Sequence, residues 1–422
     1  MRNRIRKLIH NAMWVPFGSR SGYFIGCARF CFLSGSDQVS LNVYFNAAPL
    51  LSPKTGIGQY CLNLMSELEN ISGVDPHYFY GGVWSDDLLR QAPTSVSATK
   101  KFKRTVAQVI PDLAYGLQQR WRGRHFCKGI ASTASAVYHE PNFLAFNTPL
   151  PTVVTIHDLS ILRYPETHPR DRVSFMTRRL GESIRRADCV ISDSEYGRQE
   201  ILAEYNLPPE RVVSVLLAAG SGFSPVAAEQ LPALLAPFDL QSGQYVLSVG
   251  TLEPRKNLTT AIKAYARLPE AIRQEIPFVI AGMKGWRTDG LDREVAALID
   301  KGQIRRLGYV PDEALPALYS GARVFVYPSL YEGFGLPPLE AMACGAPVIV
   351  SNRSSLPEVV GDAGLQVDAL DVDGLAEAMN RLIGDDVLRA SLRQRGMERA
   401  KGFSWRRCAE ETLAVYRKVV TG

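Results

Sequence analysis

The sequence predicts an α/β protein of two tandem open parallel sheets, each doubly wound by helices. Three observations carry that expectation. From Val39 onward, short apolar runs alternate with amphipathic stretches, the rhythm of βα units. Between residues 225 and 243 the rhythm breaks into a stretch rich in Pro, Ala and Gln, and then it restarts. At 422 residues the chain has room for two domains of ordinary size.

Taken in order, residues 1–38 are a basic extension without a pattern of their own. An N-terminal domain over 39–224 starts with a strand at Val39–Phe45, a glycine-containing turn and a helix from Gly58 to Leu68. Ala136–His139, Thr152–Ile156 and Cys189–Ser192 are further strands, and Val212–Leu217 closes the half. Residues 225–243 read as a linker. In the C-terminal domain, 244–403, the strands are Tyr245–Val249, Pro277–Ala281, Ile304–Leu307, Val324–Tyr327 and Pro347–Val350, apolar enough to be buried on both faces. Ser404 is an N-cap for a last amphipathic helix, 404–422, which carries Trp405, Leu413, Tyr416 and Val419, an apolar face free to pack on the N-terminal domain.

The composition excludes several classes. With 46% hydrophobic and 21% charged residues, and Gly and Pro near ordinary usage, the chain is neither disordered nor fibrous. Its longest apolar stretches are too short and broken to span a bilayer, and the basic start lacks the apolar core of a signal peptide. Seven cysteines without CxxC spacing fit small buried residues in a reducing, cytoplasmic compartment. The net charge of +6 is uneven: residues 100–128 hold Lys100, Lys101, Lys103, Arg104, Arg120, Arg122, Arg124 and Lys128 among Phe102, Trp121 and Phe126. That mixture suits an anionic membrane surface. Nucleic acid is not expected as a partner, because no zinc-finger, zipper or aromatic RNA-binding signature accompanies the charge.

In open parallel sheets ligands sit beyond the carboxyl ends of the strands. After Tyr245–Val249 the chain reads Gly250-Thr251-Leu252-Glu253-Pro254-Arg255-Lys256-Asn257, and after Val324–Tyr327 it reads Pro328-Ser329-Leu330-Tyr331-Glu332-Gly333-Phe334-Gly335-Leu336, leading to Glu340. The amides of Phe334, Gly335 and Leu336 open a helix, where an anionic diphosphate is favoured, and Arg255 and Lys256 add two cations. Two carboxylates beside a diphosphate need hydroxyl donors, which a sugar supplies. These residues point to a nucleoside-diphosphate sugar. A dinucleotide-dependent oxidoreductase is a third reading, against which stands the lack of G-x-G-x-x-G after the first strand of either half.

The two loops, with the E-x7-E spacing of Glu332 and Glu340 and the run through Ala341, Cys344, Gly345, Pro347 and Pro357-Glu358-Val359, resemble the donor-binding signatures of glycosyltransferase family 4, retaining enzymes of the GT-B fold with two Rossmann-like domains. The resemblance covers roughly Leu41 to Val419. It implies that Glu332 lies beside the donor sugar hydroxyls, that Glu340 binds the ribose, that Arg255 and Lys256 stabilise the leaving diphosphate, and that Val310 lies near the base. In the N-terminal half, His157 in Thr155-Ile156-His157-Asp158 resembles the family's active-site histidine, and Thr55-Gly56-Ile57-Gly58 resembles the glycine loop facing the diphosphate. One departure is Asn46, where the family's first strand usually leads into an acid. His139 has a similar strand-end place, with a structural or an acceptor role open.

The Thr251–Asn257 wording and the Thr155–Asp158 segment resemble bacterial mannosyltransferases of surface-polysaccharide assembly. The expectation is a metal-independent transferase moving a hexose from GDP-mannose to a growing, lipid-linked glycan, with no cofactor. Alternatives are another hexosyl or rhamnosyl donor, a nucleotide-sugar epimerase on the same fold, or a non-catalytic nucleotide-sugar binding subunit. Asp371-Val372-Asp373 resembles a D-x-D metal motif, but it precedes a helix, where Asp371 or Asp373 serves as an N-cap.

Overall fold

The computed structural model describes residues 40–52, 56–90, 111–283, 285 and 296–422. The basic extension 1–38, Thr55 and the Lys100–Arg104 cluster lie outside them. Two open sheets form. The first is ordered β3-β2-β1-β4-β5-β6-β7, from β1 (Leu41–Asn46), β2 (Val74–Phe79), β3 (Trp84–Ser85), β4 (Ala136–Glu140), β5 (Thr152–Ile156), β6 (Cys189–Ser192) and β7 (Val212–Ser214). All its pairings are parallel except β2 with β3. The second sheet is wholly parallel, ordered β10-β9-β8-β11-β12-β13, from β8 (Val246–Val249), β9 (Phe278–Ala281), β10 (Ile304–Gly308), β11 (Val324–Tyr327), β12 (Val348–Ser351) and β13 (Leu365–Val367). Strand order reverses at β1/β4 and at β8/β11, and those crevices are where an open sheet receives its ligand.

Strands β2 and β13 depart from the sequence reading. Pro76 breaks the apolar run of β2, yet it is tolerated because β3 covers only Tyr78 and Phe79, leaving the Pro76 end flanked by β1 alone. At three residues, β13 is too short to show a period. The segment read as a linker contains a short helix, Leu231–Leu235, whose Leu231 and Leu235 are buried.

The helices that position the site are α1 (Gly56–Leu68), α2 (Pro111–Lys128), α3 (Arg170–Arg186), α4 (Glu195–Tyr205), α5 (Leu258–Ala266), α6 (Leu315–Gly321), α7 (Leu336–Ala343), α8 (Leu356–Val360), α9 (Val372–Gly384), α10 (Asp386–Lys401) and α11 (Trp405–Thr421). Ser404 caps α11 by accepting the Arg407 N–H at 3.1 Å, and Asp371 caps α9 by accepting the Gly374 N–H at 2.9 Å. Asp373 pairs with Arg267. Helix α11 belongs to the donor-side chain but lies on the N-terminal sheet, where Tyr416 meets His139 and Trp405 packs near Tyr60. In α2, Phe126 is fully buried against Phe79, Tyr138 and Phe146, whereas Trp121 is exposed. Phe126, read from sequence as part of a surface segment, is therefore a core residue. None of the described helices is long and apolar enough to cross a membrane.

Candidate active site

The donor side is assembled by two loops whose backbones must come close. Gly250, just past β8, has φ of +149°, and a Cβ on Gly282, just past β9, would sit 1.9 Å from the Gly250 carbonyl oxygen. Only glycine fits at either place. Asn257, in the left-handed region with φ of +55°, heads α5 and ties its loop down. Its amide donates to the carbonyls of Pro328 at 3.0 Å and Ala369 at 2.6 Å. The half-buried turn at Thr251 thereby delivers Arg255 and Lys256 to the loop after β11.

There the three predicted charges form one cluster. Arg255 donates from Nη1 to Glu332 Oε2 at 3.0 Å and to the Tyr331 carbonyl at 2.6 Å, and from Nη2 to Glu253 Oε1 at 2.9 Å. Lys256 Nζ donates to Glu332 Oε1 at 2.8 Å and to the Tyr327 hydroxyl. Burial alone would raise the Glu332 carboxyl, but Arg255 and then Lys256 outweigh it and hold the group at about 2. The loop is pinned from the α8 side: Ser354 Oγ accepts the Glu332 N–H at 2.9 Å, and Ser355 Oγ donates to the carbonyls of Glu332 and Phe334 at 3.0 and 2.6 Å.

Gly335, with φ of +118°, heads α7. Pro337 and Pro338 have no N–H, so the donors at this helix start are the amides of Phe334, Gly335 and Leu336. The Phe334 ring itself is buried against Phe403. One turn into α7, Glu340 stands apart from the Arg255 cluster and accepts from the Tyr319 hydroxyl at 3.0 Å. Burial, aided by the nearby Asp312 carboxylate, pushes its carboxyl up to about 7. Val310 is buried beside the exposed Tyr309, and Asp312 two residues on accepts from Gln59 of α1 at 2.7 Å, across the cleft.

On the opposite wall, His157 follows β5. Its Nε2 lies 2.8 Å from the Pro141 carbonyl, which can only accept, so Nε2 carries a proton; Nδ1 lies 2.8 Å from Asp193 Oδ2. Burial opposes a charge on the ring, but Asp193 and the Pro141 carbonyl prevail and raise its pKa. The backbone of His157 faces the donor loop: a Cβ on Gly333 would be 1.8 Å from the His157 carbonyl oxygen. By contrast, among the described residues a Cβ on Gly56 would meet no atom within 4 Å, and one on Gly58 only the Pro49 carbonyl at 3.9 Å. The protein's own packing does not demand glycine at either position. Asn46 donates to Glu140 Oε2 at 2.7 Å, so the neighbouring strand places a carboxylate beside the end of β1.

His139 resolves to the structural role. It is fully buried, with Nδ1 2.6 Å from the Tyr416 hydroxyl and Nε2 2.8 Å from Thr155 Oγ1, and burial lowers its pKa to about 3. Sequence reasoning missed Asp193, Glu253, Tyr327 and the pinning serines. Asp193 and Tyr327 had a usable signal, since each stands at the carboxyl end of a strand. The two walls also touch directly: the Leu159 N–H donates to the Tyr331 hydroxyl at 3.0 Å, Ser194 Oγ to the Gly333 carbonyl at 2.7 Å, and the Glu358 carboxylate accepts the N–H groups of Glu195 and Tyr196 at 2.9 and 3.2 Å.

Comparison with known proteins agrees with this arrangement. Residues 54–215 match the family model described as Glycosyltransferase Family 4, and residues 239–399 match that described as Glycosyl transferases group 1. The O-antigen chain mannosyltransferase B of Escherichia coli is 39% identical over 386 residues, 89% of this chain and 100% of that relative. The serotype-specific mannosyltransferase WbdA of Escherichia coli is 31% identical over 309 residues, 71% of this chain but 36% of the longer relative. Among solved structures, the sucrose-phosphate synthase of Thermosynechococcus elongatus shares the fold with a TM-score of 0.64 at 21% identity, over 90% of this chain and 99% of that one. With two facing parallel sheets, the Arg255, Lys256 and Glu332 cluster at the cleft and a relative matched along its whole length, the chain belongs to glycosyltransferase family 4 and has the GT-B fold.

Proposed function

We propose that this glycosyltransferase moves mannose from GDP-mannose to a growing, lipid-linked polysaccharide, with retention at the anomeric carbon and without a divalent metal. The observation that carries the chemistry is the pair of half-buried cations held against the buried Glu332 beside the start of α7. As the diphosphate departs, Arg255, Lys256 and the amides of Phe334, Gly335 and Leu336 receive its developing charge. Glu332 accepts from hydroxyls of the sugar, and Glu340 from the ribose. Glu332 is engaged by both cations and is poorly placed as a covalent nucleophile. The departing diphosphate oxygen takes the acceptor proton, and attack occurs on the face it leaves. The mannose and polysaccharide parts of the reading lean on what the Escherichia coli relatives are named for.

A donor panel with mass and NMR analysis of the product tests it. GDP-mannose is expected to give GDP and an α-linked mannoside, at a rate that EDTA leaves largely intact. Preference for a UDP-sugar, a β-linked product, or complete loss with EDTA restored by Mn²⁺ would each overturn the corresponding part.

A pH dependence follows from Glu340. Free, its carboxyl titrates at about 7. Ribose hydroxyls donating to it stabilise the ionised form, so donor binding expels a proton and the bound group titrates lower. Donor Kd is therefore expected to weaken by up to about tenfold per unit as pH falls below this value. Glu340→Gln should flatten the profile in calorimetric titrations; an unchanged slope would remove the ribose role.

We place the reaction at the cytoplasmic face of the membrane, with the basic segment 100–128 drawn to anionic lipid, each of its cations that lies near the surface contributing about 1 kcal/mol. Co-sedimentation with phosphatidylglycerol vesicles should weaken with salt and on changing Lys100, Lys101, Lys103 and Arg104 to Glu. Indifference to lipid charge would exclude this.

A further inference from the structure

We propose that a cationic cavity of about 390 Å³ between α2, α3 and the loop after β4 binds a phosphate or diphosphate group carried by the acceptor, away from the reacting sugar. The proposal deepens the acceptor reading above and rests on it. Arg120 of α2 and Arg179 and Arg186 of α3 line the hollow, and Glu182 is its one carboxylate, leaving a net cationic wall. Three guanidiniums around a concavity are suited to phosphate oxygens, which a planar fork of N–H groups can grip in pairs.

The side chains are only partly spoken for. Arg186 donates to Asn147 Oδ1 at 2.5 Å and stands a loose 3.6 Å from Glu182. The Arg179 guanidinium lies over the Phe175 ring, 4.9 Å from its centroid, a stacking that fixes its plane and leaves N–H edges available. No acidic partner is found for Arg120 or Arg179 among the described residues. Gln119, also on the wall, has a buried amide oxygen without a hydrogen-bond partner. An amide can turn either end inward, to donate to a phosphate oxygen or to accept from a sugar hydroxyl.

Position links the hollow to the chemistry. Its floor includes the loop residues Leu144 and Phe146, and the same loop begins at Pro141, whose carbonyl accepts a hydrogen bond from His157 Nε2–H. Ser183, on the α3 side, donates to the Phe143 carbonyl at 2.7 Å and accepts the Ala145 N–H at 2.9 Å, so the cavity wall and His157 hang on one short segment. The donor's own phosphates are served on the opposite wall by Arg255 and Lys256. An anion in this cavity therefore belongs to a second ligand, on the acceptor side.

The test compares wild type with Arg120→Glu and Arg179→Gln, using one mannose oligosaccharide in two forms: a diphosphate-linked alkyl aglycone and a neutral methyl glycoside. KM for the diphosphate form should rise about tenfold per guanidinium lost, with kcat, the KM for GDP-mannose and the KM for the neutral form unchanged. In parallel, inorganic diphosphate is titrated by calorimetry with the donor site filled by GDP; wild type should bind it and both variants about tenfold more weakly. Equal KM changes for both acceptors, or no diphosphate binding by wild type, would overturn the proposal. So would loss of phosphatidylglycerol vesicle binding in the variants with the charged acceptor's KM intact, which would assign the cavity to membrane lipid. If wild type transfers to neither acceptor, the functional reading fails, while the diphosphate titration still decides the cavity.

Discussion

Replacing Lys256 or Arg255 with Ala is expected to lower kcat by about 10²- to 10³-fold while leaving the fold intact. In the proposed mechanism each supplies a fixed charge aimed at a diphosphate whose negative charge grows as the glycosidic bond breaks, so the loss falls on turnover more than on donor binding. The structure explains why neither single change should unfold the protein. Glu332 is only 7% exposed, but it is gripped from both oxygens, Oε2 by Arg255 and Oε1 by Lys256, so one counter-charge survives either deletion. Removing both leaves a buried carboxylate unpaired, and the double variant should lose thermal stability well beyond the sum of the singles. Arg255→Lys is not expected to rescue, because Arg255 spreads its bonds over the Tyr331 carbonyl, Glu332 and Glu253 from two nitrogens, which a single ammonium on a shorter reach cannot reproduce. Steady-state kinetics with a thermal melt on each variant check this. Near-normal turnover in both single variants would remove the diphosphate role of this loop.

How far the site was legible depends on how each residue makes its contacts. Arg255, Lys256, Glu332, Gly335 and Glu340 lie in two continuous stretches after strands, so position along the chain and position in the cleft coincide. Strands with four or more apolar residues were legible for a related reason: buried parallel strands write uninterrupted apolar runs. Strand β2 was not, since Pro76 is permitted only by the shortness of β3, a fact about another segment. The two strand-end histidines look alike in sequence. What separates them is tertiary: Tyr416, 277 residues from His139, closes one ring nitrogen, while Asp193 from the next strand orients His157. Phe126 shows the same limit, because its basic neighbours suggested a surface that the aromatic cluster of Phe79, Tyr138 and Phe146 overrides. The Asn46 departure reads differently once the sheet is assembled, as adjacent β4 brings Glu140 to the same strand end, its carboxyl raised by burial to about 7.

Gly333→Ala should abolish most activity without unfolding either domain, lowering kcat/KM by about 10²-fold or more. Gly333 lies outside the left-handed region, so an alanine there carries no backbone strain of its own. Its cost comes wholly from across the cleft: the new Cβ would stand 1.8 Å from the His157 carbonyl oxygen, 2.7 Å from the carbonyl carbon and 3.0 Å from Asp158 Cβ. Two of those atoms are backbone at the end of β5 and cannot swing aside as a side-chain tip would. The walls must instead move apart, which strips the Ser194 bond to the Gly333 carbonyl, the Tyr331 bond from Leu159 and the Glu358 cap on α4. Donor binding should suffer little, because Arg255, Lys256, Glu340 and the α7 amides all belong to one wall. The expected signature is a donor Kd near that of wild type by calorimetry, a nearly unchanged melting temperature, and a collapse of transfer. Ser194→Ala, which deletes the bond to the Gly333 carbonyl and the α4 cap on the Gly197 N–H without inserting an atom, should fall between the two in transfer. Wild-type transfer by Gly333→Ala would mean that catalysis does not require the walls to meet here.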